Sequence, residues 1–185
     1  MQRRWIDREI KYDGLQLCSG WVREMTGIAG SAIAGFRGPA DVPIGNMVDL
    51  EDVAANAPIF SKSMLHFIAE HEDRDLALAV ARQRLLVAIA AEEIATLAPG
   101  SRIERRGDDI YEGDKKLSVS IATTSPHSSL IHFAINIVSE GTPVPTKGLA
   151  EYGIGPKGLA DAILARYCEE IESMAHATTK VREVR

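Results

Sequence analysis

Residues 74–97, RDLALAVARQRLLVAIAAEEIATL, constrain the fold more than any other stretch of this chain. Alanine and leucine dominate the segment, APG at 98–100 stops it, and Asp73 stands where a cap belongs, so it predicts one long helix. It is apolar on nearly every side except around Arg82–Arg84 and Glu92–Glu93. A helix with so little polar face is normally buried against a sheet. A second helix is predicted over GPKGLADAILARYCEEIESMAHA, with Pro156 at its first position. There Leu159, Ile163, Tyr167, Ile171 and Met174 recur at helical spacing and form one apolar face.

Strand-like segments fill much of the rest. RWIDREIKY reads as a first strand, and DGLQLCSGWVRE as a short amphipathic helix capped by Asp13. SAIAGFRGPADVP reads as a strand ending in a Gly/Pro-rich loop. SMLHFIAEH reads as another strand, with a helical turn as the alternative, and MVDLEDV is ambiguous. SRIERRGDDIYE, KKLSVSIATT and SSLIHFAINIVS follow as three strand-like segments. Helices at separated points around hairpin-connected strands imply an α+β fold, an antiparallel or mixed sheet flanked by helices. No repeat, low-complexity tract or linker divides residues 1–185, so a single domain is expected.

The net charge is −5, and no basic stretch is longer than the pairs Arg3–Arg4 and Arg105–Arg106. That argues against nucleic acid as the main partner, because backbone binding needs a concentrated basic face; a small basic pocket for one anion is still compatible. No apolar run approaches the roughly 20 residues of a membrane span. The opening MQRRWIDREIKYDG is charged from the start and has no apolar region of the signal-peptide kind. Cys18 and Cys168 form no CxxC and no metal-ligand spacing, which fits a reduced, cytoplasmic protein.

Chemistry concentrates in residues 107–123, GDDIYEGDKKLSVSIAT. If Gly113–Asp114 is a two-residue hairpin loop, glycine takes the first central place, as a type II′ turn prefers. Tyr111 then faces Lys116, Ile110 faces Leu117, and Asp109 faces Ser118. Ile110, Leu117, Val119 and Ile121 share a face suited to the core. Asp109, Tyr111, Lys116, Ser118, Ser120 and Ala122 share the other, with His132, Ala134 and Asn136 joining them from the next strand. An anion, a cation and then only small side chains leave room for a ligand, and a lysine suits a carboxylate or phosphate oxygen. The alternative is a solvated hairpin whose cross-strand ion pair contributes under about 1 kcal/mol.

RRGDDIYEGDKKLSVSIAT followed by SSLIHFAINI resembles the central hairpin of biotin and lipoate protein ligases. Asp108–Asp109 match the Asn-Asp pair of those enzymes, Lys116 their lysine, and Ala134-Ile135-Asn136-Ile137 the later strand. Taken whole, the chain resembles an uncharacterised prokaryotic family assigned to this fold, within a superfamily that includes the class II aminoacyl-tRNA synthetases. The resemblance implies carboxylate activation, in which a small carboxylic acid attacks the α-phosphate of ATP to give an acyl adenylate. Lys116 would bridge the carboxylate and the α-phosphate as the catalytic residue. Asp109 would help hold Mg²⁺ or the nucleotide, and Arg37, His66, Ser118, Ser120 and Asn136 would contact substrate or nucleotide. The chain departs from the pattern at Val119, where the ligases carry glycine, and at Asp108 in place of asparagine. It also lacks the arginine-rich adenylate loop, for which Gly35-Phe36-Arg37-Gly38-Pro39 is the nearest candidate. The competing expectation is a non-catalytic module of the same fold that binds a nucleotide or metabolite, or acts as a homodimer through its sheet.

Other candidates are weighed against plainer roles. Arg37 between two glycines exposes a guanidinium to an anion, or is a loop residue at a strand end. Arg82 and Arg84 either reach an anion at the sheet or snorkel to solvent. HFIAEH at 66–71 is neither HExxH nor HxxEH, and substrate binding by His66 is favoured over a metal site. His132 reads as a hydrogen-bonded interior histidine, and Cys18 and Cys168 as packing. TPVPTKG at 142–148 either closes over a ligand, with Lys147 touching an anion, or is a stiffened connection.

Overall fold

The computed structural model describes residues 1–184. Helix α3 (Leu76–Leu97) and helix α4 (Pro156–Thr179) lie together on one face of a five-stranded sheet. That sheet runs in the order β1 (Gln2–Trp5), β2 (Ala32–Val42), β3 (Ile59–His71), β8 (Ser129–Asn136), β7 (Ser118–Thr124). β1 pairs with β2 in parallel and every other pair is antiparallel, so the sheet is mixed and the expected α+β class holds. A smaller sheet comprises β4 (Ile103–Arg106), β5 (Asp109–Glu112) and β6 (Lys115–Lys116). Among the described residues no helix is long and apolar enough to cross a membrane.

Strand alternation sorts the core into two layers. Leu65, Phe67, Ile131, Phe133 and Ile135 face the helices, packing with Leu86, Ala90, Ile163 and Tyr167. On the opposite face, Ala34, Phe36, Ile68 and Leu130 pack under residues 6–28, which carry Ile6, Tyr12, Leu17, Val22 and Ile28. This second layer contains helix α1 (Trp21–Thr26), and helix α2 (Leu50–Ala55) follows β2.

Several boundaries differ from the sequence expectation, each for a local reason. Asp75 caps α3 by accepting from Leu78 N at 3.0 Å, whereas Asp73 is taken up by Arg82 at 2.5 Å and Ser129 at 3.1 Å. No helix starts at Asp13. Its carboxylate accepts from Leu15 N in a turn, and Gly14 and Gly20 adopt φ of 93° and 85°, which delays α1 until Trp21. β2 does not end at its Gly/Pro stretch but passes through it, with a register irregularity between Gly38 and Ala40. The segment 101–112 is two strands rather than one, because the chain turns at Gly107, where φ is 65°. MVDLEDV, ambiguous in sequence, supplies Asp49 as the cap of α2. Of the apolar stripe on α4, Leu159, Ile163 and Tyr167 are buried, but Met174 is exposed.

Candidate functional site

On the sheet face away from α3 and α4 lies a cleft of about 510 Å³. Its floor is formed by Met64, Val119, His132 and Asn136; Tyr12 and Leu17 of the N-terminal segment wall one side. Val48, Asp49 and Asp52 also border it, as do Thr142, Pro143, Val144 and Thr146.

The hairpin places the one cation. Tyr111 pairs with Lys116, and Glu112 with Lys115, as the Gly113–Asp114 loop predicts. Gly113 has φ of 58°, the left-handed value a type II′ turn needs at that place. Among the described residues lining the cleft, Lys116 is the only lysine or arginine. Its ammonium lies 2.7 Å from Asp109 Oδ2. Burial opposes the ammonium charge, but Asp109, with Tyr111 and Asp52 further off, outweighs it and the lysine pKa is raised. On Asp109 burial is the largest influence and raises the carboxyl pKa despite Lys116. The other Asp109 oxygen accepts from Ser118 Oγ at 3.2 Å, and that hydroxyl also accepts from Ile110 N at 2.8 Å. Ser118 is therefore buried beneath the ion pair, holding Asp109 in place.

Beyond Lys116 the expected facing is inverted. Leu117 lies between the two sheets: its N–H bonds Ile110 O in the small one, and its carbonyl accepts from Asn136 N in the large one. This irregular residue shifts the two-residue alternation by one. Val119 and Ile121, expected in the core, instead pair with Ala134 and His132 and line the cleft. Ser120 and Ala122, expected on the ligand face, turn toward the helices. Ser120 Oγ accepts from Gln83 of α3 at 2.7 Å and donates to Asp108 O at 2.7 Å, while Ala122 packs into the helix-side core. Ser120 thus borders the cleft with its hydroxyl already committed to the protein. Tyr111 does not line the cleft either, and Arg106 lies over its ring.

The remaining candidates separate clearly. Arg37 is exposed and alternates with Phe36 and Gly38, so it projects from the sheet face opposite His66 and lies outside the cleft lining. His66 is fully buried beneath the floor, bonded to Gly38 O and to His132, both at 3.1 Å. Burial drives its pKa down to about 4. Asn136 does face the cleft, with Oδ1 accepting from Ser61 at 3.2 Å. The 142–146 strap is pinned beside the hairpin by Lys116 N to Pro145 O and Lys147 N to Lys116 O. Lys147 turns away, paired with Glu112 and lying over the Tyr152 ring, and so touches no cleft ligand. Arg82 pairs with Asp73, and Arg84 lies 3.6 Å from Asp108. Cys168 is buried on the core face of α4 as expected, but Cys18 is exposed.

A magnesium ion is the cofactor Asp109 is expected to help hold, and among the described residues protein side chains alone do not complete a site for it. Both Asp109 oxygens are engaged, Asp49 caps α2, and among the described residues no three His, Cys, Asp or Glu side chains converge for a metal. Sequence reasoning missed Tyr12, Met64 and Asp52. Tyr12 sits in an irregular segment with no periodic signal, and only the chain's return across β2 brings it to the cleft wall: Tyr12 N bonds Pro39 O and Asp41 N bonds Tyr12 O, both at 2.9 Å.

The fold, a mixed sheet with two helices on one face, is similar to that of biotin and lipoate protein ligases. A biotin protein ligase from Aquifex aeolicus, in complex with biotin and ATP, superposes with a TM-score of 0.58 over 91% of this chain and 70% of its own, at 14% identity. The Ta0514 protein of T. acidophilum, with bound lipoic acid, gives 0.57 over 77% and 73%, at 12% identity. The chain itself belongs to the family described as domain of unknown function DUF366, whose model matches residues 1–182. A protein of unknown function from Pyrococcus horikoshi shares 36% identity and a TM-score of 0.91, over 99% of this chain and all of its own. Uncharacterized protein MJ0805 of Methanocaldococcus jannaschii is 35% identical over 177 residues, which is 92% of this chain and 79% of that protein.

Proposed function

We propose that the cleft binds a small organic carboxylic acid and that the protein activates it with ATP. The observation that carries this reading is Lys116, kept charged by Asp109 at the cleft wall. Asn136 stands next to it on the floor, its backbone N–H bonded to Leu117 O. A carboxylate meeting Lys116 would exchange one anionic partner of the ammonium for another, and the apolar part would lie on Val42, Met64, Val119 and Ile121. In the activation step a carboxylate oxygen bonds the α-phosphorus, the bond from that phosphorus to the β-phosphate oxygen breaks, and pyrophosphate leaves. Lys116 would stabilise the charge that grows on the α-phosphate. The neighbours solved with biotin, ATP or lipoic acid support the ligand class by fold alone.

The second reading, a binding module without adenylation, is favoured by one set of observations. Val119 faces the cleft where the ligases carry glycine, and Arg37 projects from the other face of the sheet. Pyrophosphate exchange into ATP, run with pooled small carboxylic acids, separates the two. The adenylation reading expects exchange that requires an added acid and falls by about 10²–10³-fold in Lys116→Ala, the scale of a lost transition-state charge contact. Acid binding with no exchange in wild type contradicts activation and leaves the binding module.

A further inference from the structure

The direction of one hydrogen-bond chain fixes an unused group in the cleft floor. Gly38 O can only accept, so the hydrogen of the neutral His66 ring is on Nε2. His66 Nδ1 is then bare and accepts from His132 Nε2 at 3.1 Å. That donation places the His132 hydrogen on Nε2 and leaves Nδ1 as a lone pair. Both rings are clamped, His132 by Tyr12 (3.8 Å between centroids, 7° between planes) and His66 by Phe36 (4.9 Å, 13°). His132 is 3% exposed, and its Nδ1 makes no hydrogen bond among the described residues. Among the described residues Arg82 Nε is the one side-chain polar atom cut off from both solvent and partners, so Nδ1 keeps an opening. The space that His132 lines is the cleft.

We infer that His132 is a specificity-determining residue whose Nδ1 accepts a hydrogen bond from an O–H or N–H of the bound molecule, so that the ligand is a hydroxy- or amino-substituted small acid rather than an unsubstituted one. The inference rests on the cleft being the acid's binding site, and it is independent of ATP. A buried acceptor left bare penalises a ligand that cannot satisfy it, which is how such a group discriminates. Burial keeps both imidazoles neutral at physiological pH, consistent with an acceptor.

The test measures binding without nucleotide, by saturation-transfer NMR, of two size-matched pools: hydroxy- and amino-acids, and their unsubstituted parents. Donor-bearing acids should bind wild type about tenfold tighter, the worth of one well-made hydrogen bond. His132→Gln places an amide near the Nε2 position but no acceptor at Nδ1, and should lose that preference. His132→Asn puts Oδ1 near the Nδ1 position and should keep most of it. In wild type, ¹⁵N shifts of the His132 ring should show Nδ1 unprotonated, a readout that needs no variant to fold. A protonated Nδ1, equal binding of the pools, no binding from either, or an unchanged preference in His132→Gln overturns the inference. Absent pyrophosphate exchange with the preference intact contradicts the activation reading alone.

Discussion

Acidification from pH 7 to pH 4 is expected to remove roughly 6 kcal/mol of stability through two imidazoles, about 3 kcal/mol from each. His66 and His71 are buried neutral, with pKa values driven down to about 4 chiefly by burial. In the unfolded chain each returns to an ordinary value near 6.5. Between those values the unfolded chain binds more protons than the folded one. The contribution is therefore complete above about pH 6.5 and is lost as pH falls toward 4. His71 contributes through a site remote from the cleft, where its Nε2 lies 2.9 Å from Tyr167 OH between the sheet and α4. Urea titrations at pH 7, 5.5 and 4 measure the loss. His71→Gln should flatten the slope over that window by about half of the two-histidine contribution. A stability that stays level from pH 7 to 4 would contradict the buried, neutral assignment.

Gly38→Ala should destabilise by about 3 kcal/mol, the upper part of the overpacking range. For a chain of this size that lowers the thermal midpoint by about 6–12 °C. A Cβ at residue 38 would lie 1.8 Å from the Ile10 carbonyl oxygen, which is backbone and cannot rotate aside. The N-terminal segment is tied there by Ile10 N to Arg37 O at 3.0 Å and Tyr12 N to Pro39 O at 2.9 Å. Gly38 O also holds His66. One methyl group would therefore push away the segment that stacks Tyr12 on His132, and acid binding should weaken with stability. A midpoint within about 1 °C of wild type would show that the segment yields without cost.

The same residues show how far the sequence could be read. The long helix announced itself because alanine and leucine propensity, a flanking Asp and a terminal Gly all agree across its length. The hairpin register was legible as far as Lys116 because a Gly-Asp turn and cross-strand periodicity specify it locally. It failed at Leu117 because passing from one sheet to another is a tertiary event without a composition signal. That one residue exchanged the faces of Val119 and Ser120, so the valine expected in the core lines the cleft. Arg37 was misplaced for a related reason. Its flanking glycines suggested an exposed loop, whereas Gly38 serves close backbone packing within a continuous strand. Asp109, Lys116 and Asn136 reach the cleft as expected, and Ser118 sits beneath them as the support of Asp109. Tyr12 and the unpaired Nδ1 of His132 depend on contacts distant in sequence and could be found only in three dimensions.

The most direct test is a crystal structure of the protein grown or soaked with pooled small carboxylic acids. The account predicts an acid in the cleft, its carboxylate on Lys116 Nζ and beside Asn136, with its apolar atoms on Met64 and Val119. Acids bound only elsewhere, or a cleft left vacant with the Lys116–Asp109 pair unchanged, would contradict it.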